Sequence, residues 1–184
     1  ARGLLEHAVV ALVSDHGEGL WEHVRPSDPK KPLSESVPEQ FFYQAHGQVQ
    51  YQEVLATPFL LWGAGVPAGV RVTAAVENVD LAPTLLELAD VAALGDLHGR
   101  SLVELARHGA GAREWREHVF SNATRFTSVR ATAPGLKLVL PQPAAAALGH
   151  APRLFDLNAD PHERVDLAAA RPRDVERLRA VHAE

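Results

Sequence analysis

The apolar runs of this chain are short, and the first of them ends in a polar turn. Residues 7–13 finish in six consecutive aliphatic side chains, which favours a strand buried on both faces, as in a parallel α/β sheet. After Ser14 the run gives way to Asp15, His16 and Gly17. Because open α/β sheets bind ligands beyond the carboxyl ends of their strands, this acid and imidazole are well placed to hold a metal ion. Gly17 would permit a tight turn or a close approach to a ligand. A polar turn that simply follows a core strand explains the same residues.

The rest of the first 111 residues alternates between apolar runs and polar connectors. The proline-rich stretch 22–40 is predicted to be a long loop, of the kind that is either functional or disordered in compact domains. Asp80 precedes an amphipathic pattern, and we interpret it as a helix N-cap rather than a catalytic acid. Further predicted elements are helices over residues 48–56 and 101–107 and strands over residues 59–62 and 70–72.

The final third changes to short strands with closely spaced turn signals. The predicted strands cover residues 117–122, 127–132, 136–140 and 153–157, and their spacing favours an antiparallel meander. Residues 141–149 are predicted to form a loop and residues 172–182 a terminal helix. The predicted fold class is therefore α/β, with a core over residues 1–111 and a small antiparallel α+β subdomain over residues 112–184.

Composition narrows the class of protein. The chain has 184 residues, is 46% hydrophobic and carries a formal net charge of −5, which fits a soluble domain with a proper core. Its charge is mixed and forms no basic stripe, so no nucleic-acid partner is indicated, and no apolar run is long enough to span a bilayer. The absence of cysteine excludes disulfides and thiolate metal sites. The chain also lacks methionine and opens at Ala1, so we expect it to be cut from a longer one.

Seven sequence blocks, taken in order, carry a resemblance to a known family. They are residues 13–18, 46–47 with 51–61, 63–69, 79–88, 98–102, 128–130 with 136–138, and 154–157 with 160–164. In this order the chain resembles the C-terminal half of a sulfatase of the alkaline-phosphatase-like superfamily. The resemblance implies that further strands of the core sheet come from an absent N-terminal half. We therefore expect the first strand to lie centrally in a parallel sheet and, without that half, to expose unpaired edges and apolar surface.

The resemblance also implies an activity and a set of roles. It implies hydrolysis of a sulfate ester, or in close relatives a phosphate or phosphonate ester, at a nucleophile that lies with two further acidic metal ligands in the N-terminal half. Asp15 and His16 match the family's second pair of metal ligands. His46 matches a position occupied by lysine or histidine that contacts the sulfate or the leaving oxygen. The chain alone is expected to be inactive.

Elementary chemistry is consistent with these roles. Negative charge develops on the bridging oxygen as the S–O bond breaks, and a cation and a proton donor both stabilise it. Carboxylate ligands alone suit calcium, whereas the imidazole of His16 favours manganese or zinc. Histidine is the residue type suited to proton transfer near neutral pH, so His46 could be the general acid, although a hydrogen-bonded structural histidine is the alternative. Lys30 and Lys31 could contact the sulfate, and so could His23 on the same predicted loop, although a solvated loop explains all three.

Three functions remain compatible with the sequence. The first is the C-terminal part of a metal-dependent sulfatase acting on a small sulfate ester. The second is a phosphonate or phosphate ester hydrolase, or a phosphoglycerol transferase, of the same superfamily. The third is a standalone binding module without catalysis. The nucleophile would separate the first two, because cysteine favours sulfatase or phosphonate hydrolase chemistry and threonine favours phosphoglycerol transfer.

Overall fold

A computed structural model describes residues 3, 6–20, 23, 44–47, 49–108 and 115–183 of the chain. Its elements in chain order are β1 (Val9–Val13), β2 (Gly19–Leu20), β3 (Gln44–Ala45), α1 (Gln52–Leu55), β4 (Phe59–Gly63), a 3-10 turn (Asn78–Asp80), α2 (Leu81–Leu88), α3 (Val103–His108), β5 (His118–Asn122), β6 (Phe126–Ala131), β7 (Leu136–Pro141), α4 (Pro143–Ala147), β8 (Arg153–Asp156) and α5 (Pro172–Ala183). Among the described residues, no helix combines the length and apolarity that crossing a bilayer requires. The predicted loop over residues 22–40 lies, except for His23, outside the described residues.

The described residues divide into two compact units, and each unit combines two separate ranges of the chain. The first unit comprises Ala1–Asp15 with Pro58–Val119, and the second comprises His16–Thr57 with Phe120–Glu184. The division therefore passes between Asp15 and His16. These units are defined by contacts within the chain, and the domain boundary between residues 111 and 112 stays a prediction.

In the first unit, β1 and β4 form an antiparallel ribbon in which Val9 lies opposite Gly63. Leu12, Leu60 and Trp62 share one face of this ribbon and are 48%, 52% and 40% exposed. The predicted parallel pairing of β1, with both faces buried, is therefore not what the described residues show. An aliphatic run indicates that a strand is apolar, but it does not encode the direction of the strand's partner. The exposed apolar face agrees with the surface expected for β1 without an N-terminal half.

Asp80 lies where the helix N-cap was predicted, directly before α2, but its carboxylate binds groups outside this helix. Its side chain is fully buried and accepts hydrogen bonds from the backbone N–H of Glu77 at 2.9 Å and of Arg100 at 2.8 Å. The guanidinium of Arg116 pairs with both Asp80 and Glu77. No side-chain bond from Asp80 caps α2. Asp80 therefore ties three segments of the first unit together.

Two predicted elements in the connectors were wrong. Residues 70–72 form no strand, and the predicted loop over residues 141–149 contains the helix α4. Pro143 begins that helix and alanines follow it. Proline is well tolerated in the first turn of a helix and alanine has the highest helix propensity, so the sequence did carry a signal for this helix.

The second unit contains the predicted meander from Phe120 onward. Strands β5, β6, β7 and β8 form a four-stranded sheet in chain order, and the β6–β7 and β7–β8 pairs are antiparallel. Val175 and Leu178 of α5 are buried in a cluster with apolar side chains of β6, β7 and β8. The predicted terminal helix is therefore confirmed.

A buried ion pair links this sheet to α1. The ammonium of Lys137 lies 2.7 Å from the carboxylate of Glu163, and each side chain is only 1% exposed. Burial lowers the pKa of Lys137, although the negative charge of Glu163 acts to raise it. The second carboxylate oxygen of Glu163 accepts a hydrogen bond from the backbone N–H of Gln52 at 2.6 Å. Glu163 thereby fixes the start of α1.

Candidate active site

The sequence-predicted site residues fall in different parts of the structure. Asp15 is exposed just after β1 in the first unit, where the side chain of Asn78 donates a hydrogen bond to the carbonyl of Ser14 at 2.9 Å. His16 and His46 both belong to the second unit and lie together there. Lys30 and Lys31 lie outside the described residues.

The rings of His16 and His46 are stacked. Their centroids are 3.6 Å apart and their planes differ by 18°. Nδ1 of His16 lies 2.7 Å from the carbonyl oxygen of Gly17. A carbonyl oxygen only accepts, so Nδ1 carries the proton and the lone pair of the neutral ring is on Nε2. This is the arrangement by which metal-binding histidines are usually oriented.

Glu18 completes a cluster with these two histidines. One of its carboxylate oxygens lies 3.0 Å from Nδ1 of His46, and the side chains of His46 and Glu18 are 48% and 45% exposed. One potential ligand atom from each of His16, Glu18 and His46 lies within 4.8 Å of the others. We call these three residues the His–Glu–His cluster. Among the described residues, it is the group whose geometry suits a metal ion.

Sequence reasoning assigned no role to Glu18. It stands two residues after His16 and 28 residues before its partner His46. The sequence did offer one signal for a role of Glu18, since it belongs to the block of residues 13–18 that carries the family resemblance. The block does not reveal the contact, because that contact depends on how the chain returns to His46.

Gly17 allows the backbone that carries the cluster to lie against α1. Its N–H donates a hydrogen bond to the carbonyl of Val54 at 2.7 Å, and a Cβ at this position would lie 2.0 Å from the carbonyl oxygen of Glu53. Gly17 was predicted to permit a tight turn or a close approach to a ligand, and within the second unit the close approach that the structure shows is to the backbone of α1.

His23 is engaged within the second unit. Its ring stacks on Tyr51 at a centroid distance of 3.5 Å, Nδ1 lies 2.5 Å from the carboxylate of Glu53, and Nε2 lies 2.8 Å from the carbonyl oxygen of His162. Burial opposes protonation, but the hydrogen bond and negative charge of Glu53 outweigh it and raise the pKa of His23. Both ring nitrogens face acceptors, so His23 acts here as a charged link between segments. This gives it a structural role that the sequence did not reveal.

A cleft of about 400 Å³ lies beside this histidine. Tyr51, Arg153 and Phe155 form part of its lining, and the guanidinium of Arg153 lies 5.1 Å from the centre of the Tyr51 ring. The same guanidinium donates a hydrogen bond to the Tyr51 hydroxyl. Two of the residues that line the cleft, Arg153 and Tyr51, are therefore in contact with each other.

Comparison with known proteins identifies related chains. The family model described as N-sulphoglucosamine sulphohydrolase, C-terminal, matches residues 41–177. Arylsulfatase K of Mus musculus is 27% identical over 177 residues, which cover 92% of this chain and 28% of the mouse protein. The chain therefore spans less than a third of the length of that relative.

Solved structures show the same fold. A protein determined in complex with its substrate D-glucosamine-2-N,6-O-disulfate has a TM-score of 0.73 and 21% identity, covering 97% of this chain and 34% of its own. The phosphonate monoester hydrolase of Agrobacterium radiobacter has a TM-score of 0.66 and 20% identity, covering 95% of this chain and 35% of its own. The predicted fold class is thereby confirmed.

Proposed function

The chain belongs to the family of N-sulphoglucosamine sulphohydrolase C-terminal regions, and on that premise we propose that it is the C-terminal part of a metal-dependent sulfatase. In this proposal the nucleophile and two further acidic ligands lie in an N-terminal half of the same enzyme. The observation that carries the proposal is the pairing of His16 with His46 in the second unit, because the two residues are 30 positions apart and each matches a site position of the family.

Asp15 and His16 are the proposed metal ligands of this half. In the neutral imidazole of His16 the lone pair lies on Nε2, since Nδ1 donates its proton to the carbonyl of Gly17. Asp15, its neighbour in sequence, supplies the negative charge that a divalent cation requires. Carboxylate ligands are compatible with calcium, and the imidazole favours manganese or zinc. A cation held there would stabilise negative charge on the nucleophile and on the sulfate oxygens.

His46 is the proposed proton donor. Its Nδ1 faces Glu18, which leaves Nε2 as the nitrogen available to a substrate. As the sulfate ester breaks, the leaving oxygen gains negative charge, and a proton delivered by His46 would neutralise it. Lys30 and Lys31 are proposed as further contacts to the sulfate, since lysine binds oxyanions as a point charge.

The proposed substrate is a small molecule that carries a sulfate ester. Support comes from the relatives, which include a protein solved with a sulfated glucosamine as its substrate. A second candidate is a phosphonate or phosphate ester, because a phosphonate monoester hydrolase shares the fold over most of this chain. The Asp15–His16 pair and His46 are compatible with either ester.

Replacement of Asp15 tests the proposal in the intact enzyme. Loss of a residue that hydrogen-bonds to a metal ligand typically lowers metal affinity or activity about 10- to 100-fold. Asp15→Ala removes a ligand itself, so we expect it to lower sulfate release from an aryl sulfate by more than about 100-fold. Bound divalent metal, measured by elemental analysis, should fall in parallel. Asp96→Ala is the matched control, because Asp96 is an exposed acid outside the site.

The outcomes separate the candidates. Near-normal hydrolysis and metal content in Asp15→Ala would refute the assigned role. Faster turnover of an aryl phosphonate than of the aryl sulfate would favour the second candidate. A full-length protein that hydrolyses neither ester would favour a non-catalytic module.

A further inference from the structure

We infer that Glu18 is a positioning residue for His46, a role that rests on the proposed function. The two side chains form a carboxylate–imidazole pair within the second unit, at 3.0 Å between Oε2 and Nδ1. Glu18 does not need to touch the substrate in this inference. It acts by fixing which nitrogen of His46 carries a proton toward the reacting ester.

The pair selects one tautomer of the His46 ring. An ionised carboxylate can only accept a hydrogen bond, so the nitrogen that faces Glu18 must carry a hydrogen. In the neutral ring the lone pair is then on Nε2, and in the charged ring Nε2 holds the transferable proton. Aspartate has this orienting role toward histidine in the Ser-His-Asp triad, where it also stabilises the charged ring.

A second contact fixes the plane of the ring. His16 stacks on its face at 3.6 Å with an interplanar angle of 18°, whereas Glu18 holds its edge. An imidazole side chain has two rotatable bonds, and one contact on the face and one on the edge restrict both. Holding a donor in a reactive orientation is a recognised source of rate enhancement, and it does not change how tightly the substrate binds.

Glu18 could instead be a metal ligand, since its carboxylate is also a member of the His–Glu–His cluster. The two roles make different predictions for metal content. A ligand that is removed weakens metal binding, whereas a positioning residue can be removed with the metal retained. The exposure of Glu18, 45% for its side chain, also means that its truncation should not disturb the core.

The test uses Glu18→Ala in the intact enzyme, with Glu18→Gln as the conservative variant. Alanine removes the acceptor, whereas glutamine retains a carbonyl oxygen that can still accept from Nδ1. We expect Glu18→Ala to lower kcat about 10- to 100-fold with little change in KM or in bound metal, and Glu18→Gln to recover part of the loss. Glu104→Ala is the matched control, because the exposed side chains of Glu104 and His108 on α3 make a carboxylate–imidazole contact of the same 3.0 Å length.

A double-mutant cycle with His46→Gln completes the experiment. If Glu18 acts through His46, Glu18→Ala should cause little further loss once His46 has been replaced. Losses that multiply, loss of bound metal in Glu18→Ala, or wild-type kcat in Glu18→Ala would each overturn the inference. Should His46→Gln itself leave hydrolysis unchanged, the proposed function fails and this inference falls with it. Failure of the inference alone is recognised by an impaired His46→Gln beside an unimpaired Glu18→Ala.

Discussion

The proposed role of His46 as a proton donor depends on two neighbours, Glu18 and His16, that lie far from it in sequence. Glu18 contacts one ring nitrogen and His16 covers one ring face. Neither contact can be inferred from the sequence next to His46, where Gly47 and Gln48 follow directly. The family resemblance pointed to the position, and the fold supplies the partners that give it a defined orientation.

The leaving group should reveal what His46 does. General acid catalysis typically contributes about 10²- to 10⁴-fold, and it matters most when the leaving oxygen is strongly basic. We expect His46→Gln to reduce turnover of alkyl sulfates by a factor in this range and that of activated aryl sulfates much less, as measured by kcat across a series of leaving groups. His98→Ala, at an exposed position, is the control. Equal losses across the series would contradict a role in proton donation.

The contact of His23 with Glu53 should make stability depend on pH. Burial acts against both charges, but the mutual contact prevails: the pKa of His23 is raised above 6.5 and that of Glu53 is lowered below 4.5. The stabilisation from His23 is complete below pH 6.5 and is lost as the pH rises through the raised value. That from Glu53 is complete above pH 4.5 and is lost as the pH falls through the lowered value.

Replacement of His23 tests this coupling. The contribution of the pair should be greatest between pH 4.5 and 6.5. In that window we expect His23→Gln to lower the free energy of unfolding by roughly 1–2 kcal/mol, and to lower it less at alkaline pH. The measurement is denaturant unfolding over a pH series, with His98→Ala as control. A difference between wild type and variant that stays constant with pH would contradict the coupling.

At the scale of elements, the candidate site depends on the contact between the turn after β1 and α1. Gly17 lies so close to the backbone of α1 that a Cβ there would overlap the carbonyl oxygen of Glu53 at 2.0 Å. At Gly95, by contrast, no atom of the described residues other than its chain neighbours lies within 4 Å of a Cβ placed there. The two glycines therefore form a matched pair for the same substitution.

We expect Gly17→Ala to destabilise the protein by about 1–3 kcal/mol, the usual effect of forced overpacking, and to reduce hydrolysis because His16 and Glu18 flank it. Gly95→Ala should leave both quantities close to wild type. Thermal unfolding and hydrolysis of an aryl sulfate provide the two measurements. A Gly17→Ala protein as stable and as active as Gly95→Ala would show that the turn does not need this close approach.

The sequence predicted most elements because local patterns determine them. The strands β5 to β8 and the helix α5 lie within one or two residues of their predicted bounds. Apolar periodicity and turn residues determine these bounds. The antiparallel direction of β1 and β4 was not predictable, because it depends on the chain between them. Asp80 was placed correctly before α2, but its buried role was missed because the partners Arg100 and Arg116 come from later segments.

At the scale of the whole molecule, the chain has part of what the proposed reaction needs. It covers 28% of the mouse relative and about a third of the solved structures. Family membership and fold class could be predicted from seven ordered blocks of sequence. The grouping of residues 16–57 with the C-terminal sheet could not, because contacts such as that of Glu163 with Gln52 join segments 111 residues apart.

The proposed function depends above all on the binding of a divalent cation by Asp15 and His16 in the intact enzyme. Anomalous diffraction from crystals of the full-length protein grown with manganese tests it most directly, because the signal locates the ion without reference to activity. We expect a peak within about 2.0–2.6 Å of a carboxylate oxygen of Asp15 and of Nε2 of His16, a range that spans the ligand distances of zinc, magnesium and calcium ions. A peak elsewhere, with neither side chain among its ligands, would contradict it.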